Sequence, residues 1–204
     1  MVLSEEVKQK LKNEFSSLKD DVKLVLFSKN DDLSNKIKEL LTELSQLSEK
    51  ITFQEKEGTK CLENPCISIE TLEKDFGIRY MGLPSGGEFP TFITAIKMVS
   101  TNNYDISERI EEFVEEVDKP VDIKVFVTTS CGWCPPAILK AYSFALVNDY
   151  ITATAIDCYN FPDLANKYTV SSVPKTVIND SIEFVGVKDD NDYFGYIVKA
   201  IGEI

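Results

Sequence analysis

The sequence predicts an α/β chain built as two tandem copies of one mixed-sheet unit, the second intact and the first worn down. Three observations carry this reading. Two cysteines stand three apart in Cys131-Gly132-Trp133-Cys134-Pro135, between an apolar run and a helical segment. A proline-opened apolar run, Val173-Pro174-Lys175-Thr176-Val177-Ile178, places its proline forty residues after Cys134. Much of that pattern occurs once before, at an offset of roughly 105 residues.

The elements follow in order. A helix runs from about Ser4 to Leu18, where Ser4, Glu6 and Val7 make a partial capping signal. Val22–Phe27 is an apolar strand that echoes Ile123–Val127. After Ser28-Lys29-Asn30-Asp31-Asp32-Leu33-Ser34 a helix continues to about Leu47. Asn64-Pro65-Cys66-Ile67-Ser68-Ile69 echoes the Val173-Pro174 strand, and Phe76–Gly82 echoes Ile182–Gly186. A helix from about Gly87 to Ser100 closes the first unit. Ile106, Ile110, Phe113, Val114 and Val117 fall at helical spacing and form a connector helix. Proline disfavours helix continuation, so Asp118-Lys119-Pro120 marks the boundary: residues 1–118 form one domain and 119–204 the other. In the second unit helices are expected at Pro136–Val147, Asp163–Tyr168 and Asp190–Ile201, with strands at Ile151–Asp157 and Ile182–Val187.

Composition excludes several functions. The chain has 204 residues, and its 43% hydrophobic content supports a packed core. No apolar run approaches the roughly 20 residues that span a bilayer. Met1-Val2-Leu3-Ser4-Glu5-Glu6 lacks a secretory pattern, which points to a cytoplasmic protein with no membrane role. The net charge of −12 disfavours nucleic acid and anionic lipid, whose phosphates require Lys and Arg. Histidine is absent, which removes Cys–His and Ser–His catalysis and the commonest zinc ligand. Five cysteines leave at least one thiol unpaired within the chain.

Cys131 and Cys134 carry the chemistry. A sulfur at the start of a helix meets free N–H groups and the positive end of the macrodipole, which favour a thiolate. Cys131 is therefore the nucleophile toward a disulfide. Cys134, one turn on, resolves the mixed disulfide. One CxxC without histidine or a second pair cannot complete a tetrahedral zinc site, so no metal is expected and the dithiol is its own redox group. Gly132 lets the backbone turn without a Cβ clash. Trp133 either offers an apolar face to a substrate peptide or packs half-buried. Pro135 lacks an N–H where the first helical turn does not need one.

The order strand, CxxC, helix, strand, helix, proline-strand, strand, helix resembles the thioredoxin/glutaredoxin fold. Val173-Pro174 matches that fold's cis-proline, which faces the cysteines. The resemblance implies a cis bond and a Val173 backbone that pairs with an extended substrate. Over almost its whole length the chain resembles the archaeal protein disulfide oxidoreductases. The match rests on Val22–Phe27, Phe76–Gly82 with Gly86-Gly87-Glu88-Phe89, Val125–Pro135 and Val173-Pro174. It implies a thiol–disulfide oxidoreductase acting on protein substrates and served by a thioredoxin-reductase-type flavoenzyme. It also fits a thermophilic archaeal source, although the eleven asparagines argue mildly against extreme heat adaptation. Two alternatives stand beside it: an electron relay from such a flavoenzyme to a peroxiredoxin, and a chaperone-like substrate-binding module.

The chain departs from that family in its first unit. Asp31 and Ser34 stand where the cysteines of a first site would be, so that site is lost. Asp31 is instead suited to a helix N-terminus. Seven residues separate Glu57 from Pro65, against sixteen between Asp157 and Pro174, so the first unit has no room for the second unit's crossover helix. Cys61 and Cys66 have two readings: a local bridge, if their Cα atoms come within about 7 Å, or small buried hydrophobes, Cys61 aligning with Val170. Cys158 reads as a packing cysteine. Thioredoxins place a buried acid six residues before the first cysteine. Here that position is Val125, and no carboxylate is identified in its place.

Overall fold

A computed structural model describes residues 3–202. The first half contains α1 (Glu5–Phe15), β1 (Val22–Phe27), α2 (Asp32–Ser45), β2 (Ile51–Lys56), β3 (Cys66–Thr71), β4 (Ile78–Met81) and α3 (Glu88–Thr101). The second contains α4 (Glu108–Glu115), β5 (Val121–Val127), α5 (Cys134–Val147), β6 (Ile151–Asp157), α6 (Pro162–Lys167), β7 (Lys175–Ile178), β8 (Ile182–Val185) and α7 (Asp190–Ala200). Ser4 caps α1, its Oγ accepting the Val7 N–H at 3.3 Å. Asp31 caps α2, its Oδ1 accepting the Ser34 N–H at 2.8 Å.

The repeat is visible in strand pairing. β1 runs parallel to β2 and antiparallel to β3, which pairs antiparallel with β4. β5 repeats this with β6, β7 and β8. Each unit holds the mixed sheet expected of it, and the two join edge to edge into one eight-stranded sheet, in the order β2-β1-β3-β4-β6-β5-β7-β8, because β4 pairs in parallel with β6. A strand edge presents unpaired N–H and C=O groups, and this pairing satisfies the inner edge of each half. Glycines with positive φ, Gly77 and Gly82, bound β4 and make it shorter than the predicted Phe76–Gly82.

Side chains alternate across the sheet as a two-residue period requires. β5 sends Ile123, Val125 and Val127 into the larger core with most of the helices, and Phe126 into a smaller core on the opposite face. In the second unit α6 covers this smaller core through Leu164, joined by Phe161. In the first unit no helix intervenes between β2 and β3, and a loop takes its place. α5 starts at Cys134, two residues before the predicted Pro136. Pro135 and Pro136 then occupy early helical positions where a missing N–H costs nothing. Among the described residues, no helix is long and apolar enough to cross a membrane.

Candidate active site

β5 leaves the sheet at Val127 and the chain re-enters regular structure at Cys134, the first residue of α5. Between them the Cys131 N–H donates to the Thr128 carbonyl at 3.1 Å and closes the turn. Cys131 and Cys134 are joined as a disulfide, their Cα atoms 5.4 Å apart. Cys134 is fully buried, whereas Cys131 is partly exposed. An incoming thiolate can therefore reach only Cys131. Attack there leaves the negative charge on Cys134, at a helix N-terminus that stabilises it.

The rest of the rim carries several exposed apolar side chains. Val173–Pro174 is a cis peptide bond. The Pro174 carbonyl accepts the Gly186 N–H at 2.9 Å, which sets exposed Val185 and Val187 beside the proline loop. Trp133 and Tyr159 are the two most exposed large apolar side chains among the described residues, at 73% and 68%. Of the two readings of Trp133, the half-buried packing role is thereby excluded. The steric reason for Gly132 also fails. Its φ is not positive, and an added Cβ would meet nothing within 4 Å.

Sequence reasoning missed the contribution of the first unit to this site. Strands β4, β6 and β5 are parallel neighbours, so the loops after them share one edge of the sheet. The Gly87 N–H donates to the Thr129 carbonyl at 3.0 Å, and the Leu83 N–H donates to Asn160 Oδ1 at 2.9 Å. At the start of α3, which packs on α5, stands Glu88. Its side chain is wholly buried, and neither carboxylate oxygen has a hydrogen-bond partner. Burial, reinforced by the negative charge of Asp157, raises its pKa to about 7. Asp157, at the end of β6, is itself shifted upward by burial, against the pull of the Tyr159 and Asn160 amides. In sequence Glu88 looks like an ordinary acid at a helix start. The signal available was the Gly86-Gly87 pair before it, which permits close backbone approach: a Cβ at Gly86 would lie 3.0 Å from the Thr129 carbonyl oxygen.

The corresponding position in the first unit carries no dithiol. Asp31 and Ser34 are engaged in capping, and Ser34 Oγ accepts the Lys29 N–H at 2.9 Å. Asn64–Pro65 keeps the cis geometry of Val173–Pro174. Of the two readings of Cys61 and Cys66, the structure shows the bridge, with Cα atoms 6.1 Å apart. Cys158 is free, partly buried and packed against the smaller core. Burial, then the neighbouring Asp157 charge, pushes its thiol up to about 11, which makes it a poor nucleophile.

A disulfide at a strand-to-helix junction, with a cis-proline loop beside it, defines a thioredoxin-type dithiol unit. Residues 121–194 match the family described as Thioredoxin domain. In fold the whole chain is a tandem of two such units. It is similar to the protein disulfide oxidoreductase of Aeropyrum pernix, with a TM-score of 0.86 and 24% identity, over 99% of this chain and 95% of that one. It is equally similar to the NTD_N/C domain of alkylhydroperoxide reductase AhpF from Enterococcus faecalis, with a TM-score of 0.86 and 23% identity, over 96% of this chain and 100% of that one. In sequence it is 30% identical over 156 residues to an alkyl hydroperoxide reductase subunit of Staphylococcus epidermidis, covering 76% of this chain and 30% of that protein. The chain thus spans about a third of the length of the curated relatives it matches.

Proposed function

We propose that this chain is a protein disulfide oxidoreductase that exchanges disulfides with protein substrates through Cys131 and Cys134. The observation that carries the reading is one reachable sulfur bonded to one buried sulfur at a helix N-terminus, within a rim that carries exposed apolar side chains. In the reductive direction the Cys131 thiolate attacks a substrate disulfide, and the substrate's second sulfur leaves with the electron pair. Cys134 then gives up its proton and attacks Cys131 Sγ, and the second substrate thiol is released. Glu88 starts α3, which packs on the α5 helix that Cys134 starts, and we assign it to accept the Cys134 proton; a carboxylate with a pKa near 7 is suited to take and return one at neutral pH. Trp133, Tyr159 and Val173 hold the substrate segment, whose backbone pairs with that of Val173 by strand addition. No cofactor beyond the dithiol is needed for this cycle.

The test is dithiothreitol-driven insulin reduction by wild type and Cys131→Ser. Turnover by wild type and none above background by the variant is expected; equal turnover refutes the assignment. The likeness to the staphylococcal alkyl hydroperoxide reductase favours a second reading. In it the dithiol relays electrons from a separate thioredoxin-reductase-type flavoenzyme to a peroxiredoxin. A coupled peroxide assay separates the two, because only the relay supports peroxide turnover in which this chain is rate-limiting.

A further inference from the structure

The bridge between Cys61 and Cys66 has no place in the cycle above, and its surroundings assign it a different use. We propose that Cys61–Cys66 is a second thiol-exchange site, a clasp that a dithiol reductant opens to release the loop 57–65 from the sheet.

The loop stands where the second unit has α6, but it lacks that helix's means of attachment. α6 and its N-cap hold the smaller core with Leu164 and Phe161. The loop's only large apolar side chain, Leu62, is exposed. Apart from Pro65, buried at its end, and Cys61, packed against the smaller core, what ties the loop down is polar or covalent. Lys60 Nζ lies 2.6 Å from both Glu70 and Asp75. Asn64 Nδ2 donates to the Ser28 carbonyl at 3.4 Å, just past the end of β1. The Cys61–Cys66 bond anchors the loop to β3. Between the loop and the sheet face is an open pocket of about 290 Å³, bordered by Cys61, Arg79, Lys124 and Ile156. The loop thus borders an open pocket on the sheet face, and the covalent bond supplements sparse apolar contact.

The two sulfurs differ in access. Cys66 is fully buried in the smaller core with Val25, Phe27 and Met81, whereas Cys61 is partly exposed and lines the pocket. A dithiol thiolate therefore attacks Cys61 Sγ. The S–S bond breaks, and its electron pair goes to Cys66 Sγ, which takes up a proton. The reductant's second thiolate then attacks the mixed disulfide and frees Cys61, leaving the reductant as a disulfide. Two electrons have moved, and the reverse sequence closes the clasp. Cys66 opens a strand and has no helix N-terminus to stabilise it as a leaving thiolate, unlike Cys134. Exchange at the clasp is therefore slower than at Cys131–Cys134, because a higher leaving-group pKa slows cleavage.

The test uses the full chain carrying Cys131→Ser/Cys134→Ser, so its outcome is independent of whether that pair is catalytic. The protein is treated with dithiothreitol, alkylated, and digested briefly with trypsin. Expected are new thiols at Cys61 and Cys66 and cleavage after Lys60 accelerated by at least about ten-fold, as local release of a loop requires. Reoxidation before digestion restores resistance. Wild type given limiting dithiothreitol is alkylated at Cys131 and Cys134 before Cys61 and Cys66, a measurement that stands even if the variant folds poorly. The proposal is overturned if both thiols appear without faster cleavage, if the bridge resists reduction until the protein unfolds, or if Cys61 and Cys66 are found unbridged in the untreated protein.

Discussion

The backbone N–H of Gly87 donates to the carbonyl of Thr129 at 3.0 Å, tying the start of α3 in the first unit to the turn that carries Cys131. The unit without a CxxC therefore builds part of the wall around the CxxC of the other. Thr129 lies two residues before Cys131, so a displacement at the Gly86-Gly87 pair passes directly to the attacking sulfur.

Gly86→Ala tests that link. Gly86 has φ +54°, and a Cβ there would crowd the Thr129 carbonyl oxygen at 3.0 Å. The expected cost is about 1–2 kcal/mol of stability, from strain at positive φ together with the close contact. Insulin reduction should fall more steeply than the fraction folded, as read by urea titration. A loss of activity that only tracks unfolding would deny the link.

Glu88→Gln tests the buried acid through pH. The ordinary glutamate pKa is 4.5, and in the folded protein it is raised to about 7. Between these values the folded state binds the proton that the unfolded state has lost. Wild-type stability should therefore fall as pH rises from about 4.5 to about 7, then level off. The neutral amide has no such slope and should gain up to about 3 kcal/mol relative to wild type at pH 8 over pH 5. Urea unfolding at the two pH values measures this. In stopped-flow exchange, resolution by Cys134 should be slowed in the variant. Parallel stability curves for the two proteins would show that Glu88 does not titrate in this range.

Trp133 and Tyr159 form the exposed aromatic part of the rim. Truncating either to alanine should raise KM for insulin by roughly 5–10-fold, the loss of about 1 kcal/mol or a little more of aromatic contact. Exchange with a small disulfide such as oxidised dithiothreitol should be unchanged. Equal losses with both substrates would mean that the aromatics support the fold rather than the substrate.

Asp31→Ala addresses the vanished first site. Asp31 Oδ1 caps α2 through the Ser34 N–H. Its removal should cost about 1 kcal/mol in thermal or urea unfolding and leave exchange kinetics intact. A marked change in kcat/KM at unchanged stability would restore a functional role to that position.

Local pattern was enough to read most of the elements. Alternation and apolar runs marked the strands, three-to-four spacing marked the helices, and the spacing from Cys134 to Pro174 marked the dithiol unit. The repeat was legible because Val22–Phe27, Pro65 and Phe76–Gly82 kept the residue types that strands and cis-proline loops demand, although the cysteines had gone. These features depend on near neighbours in the chain.

The remaining features depend on residues far apart in sequence. The parallel pairing of β4 with β6 joins Ile78–Met81 to Ala153–Ile156 and converts two sheets into one. Nothing within either strand encodes its partner, because backbone hydrogen bonds are the same for any pair. The same pairing brings the start of α3, with Glu88, to the edge of the sheet where the loops carrying Tyr159 and Cys131 emerge. Glu88 owes its raised pKa to burial, which a sequence does not display. Likewise the spacing of Cys61 and Cys66 allowed a bridge or two packed thiols, and only the path of the loop across β3 brought their Cα atoms to 6.1 Å. The sequence alone determined the repeated unit and its dithiol. Tertiary packing decided which distant groups surround that dithiol, because burial, charge proximity and strand partnership exist only once the chain has closed on itself.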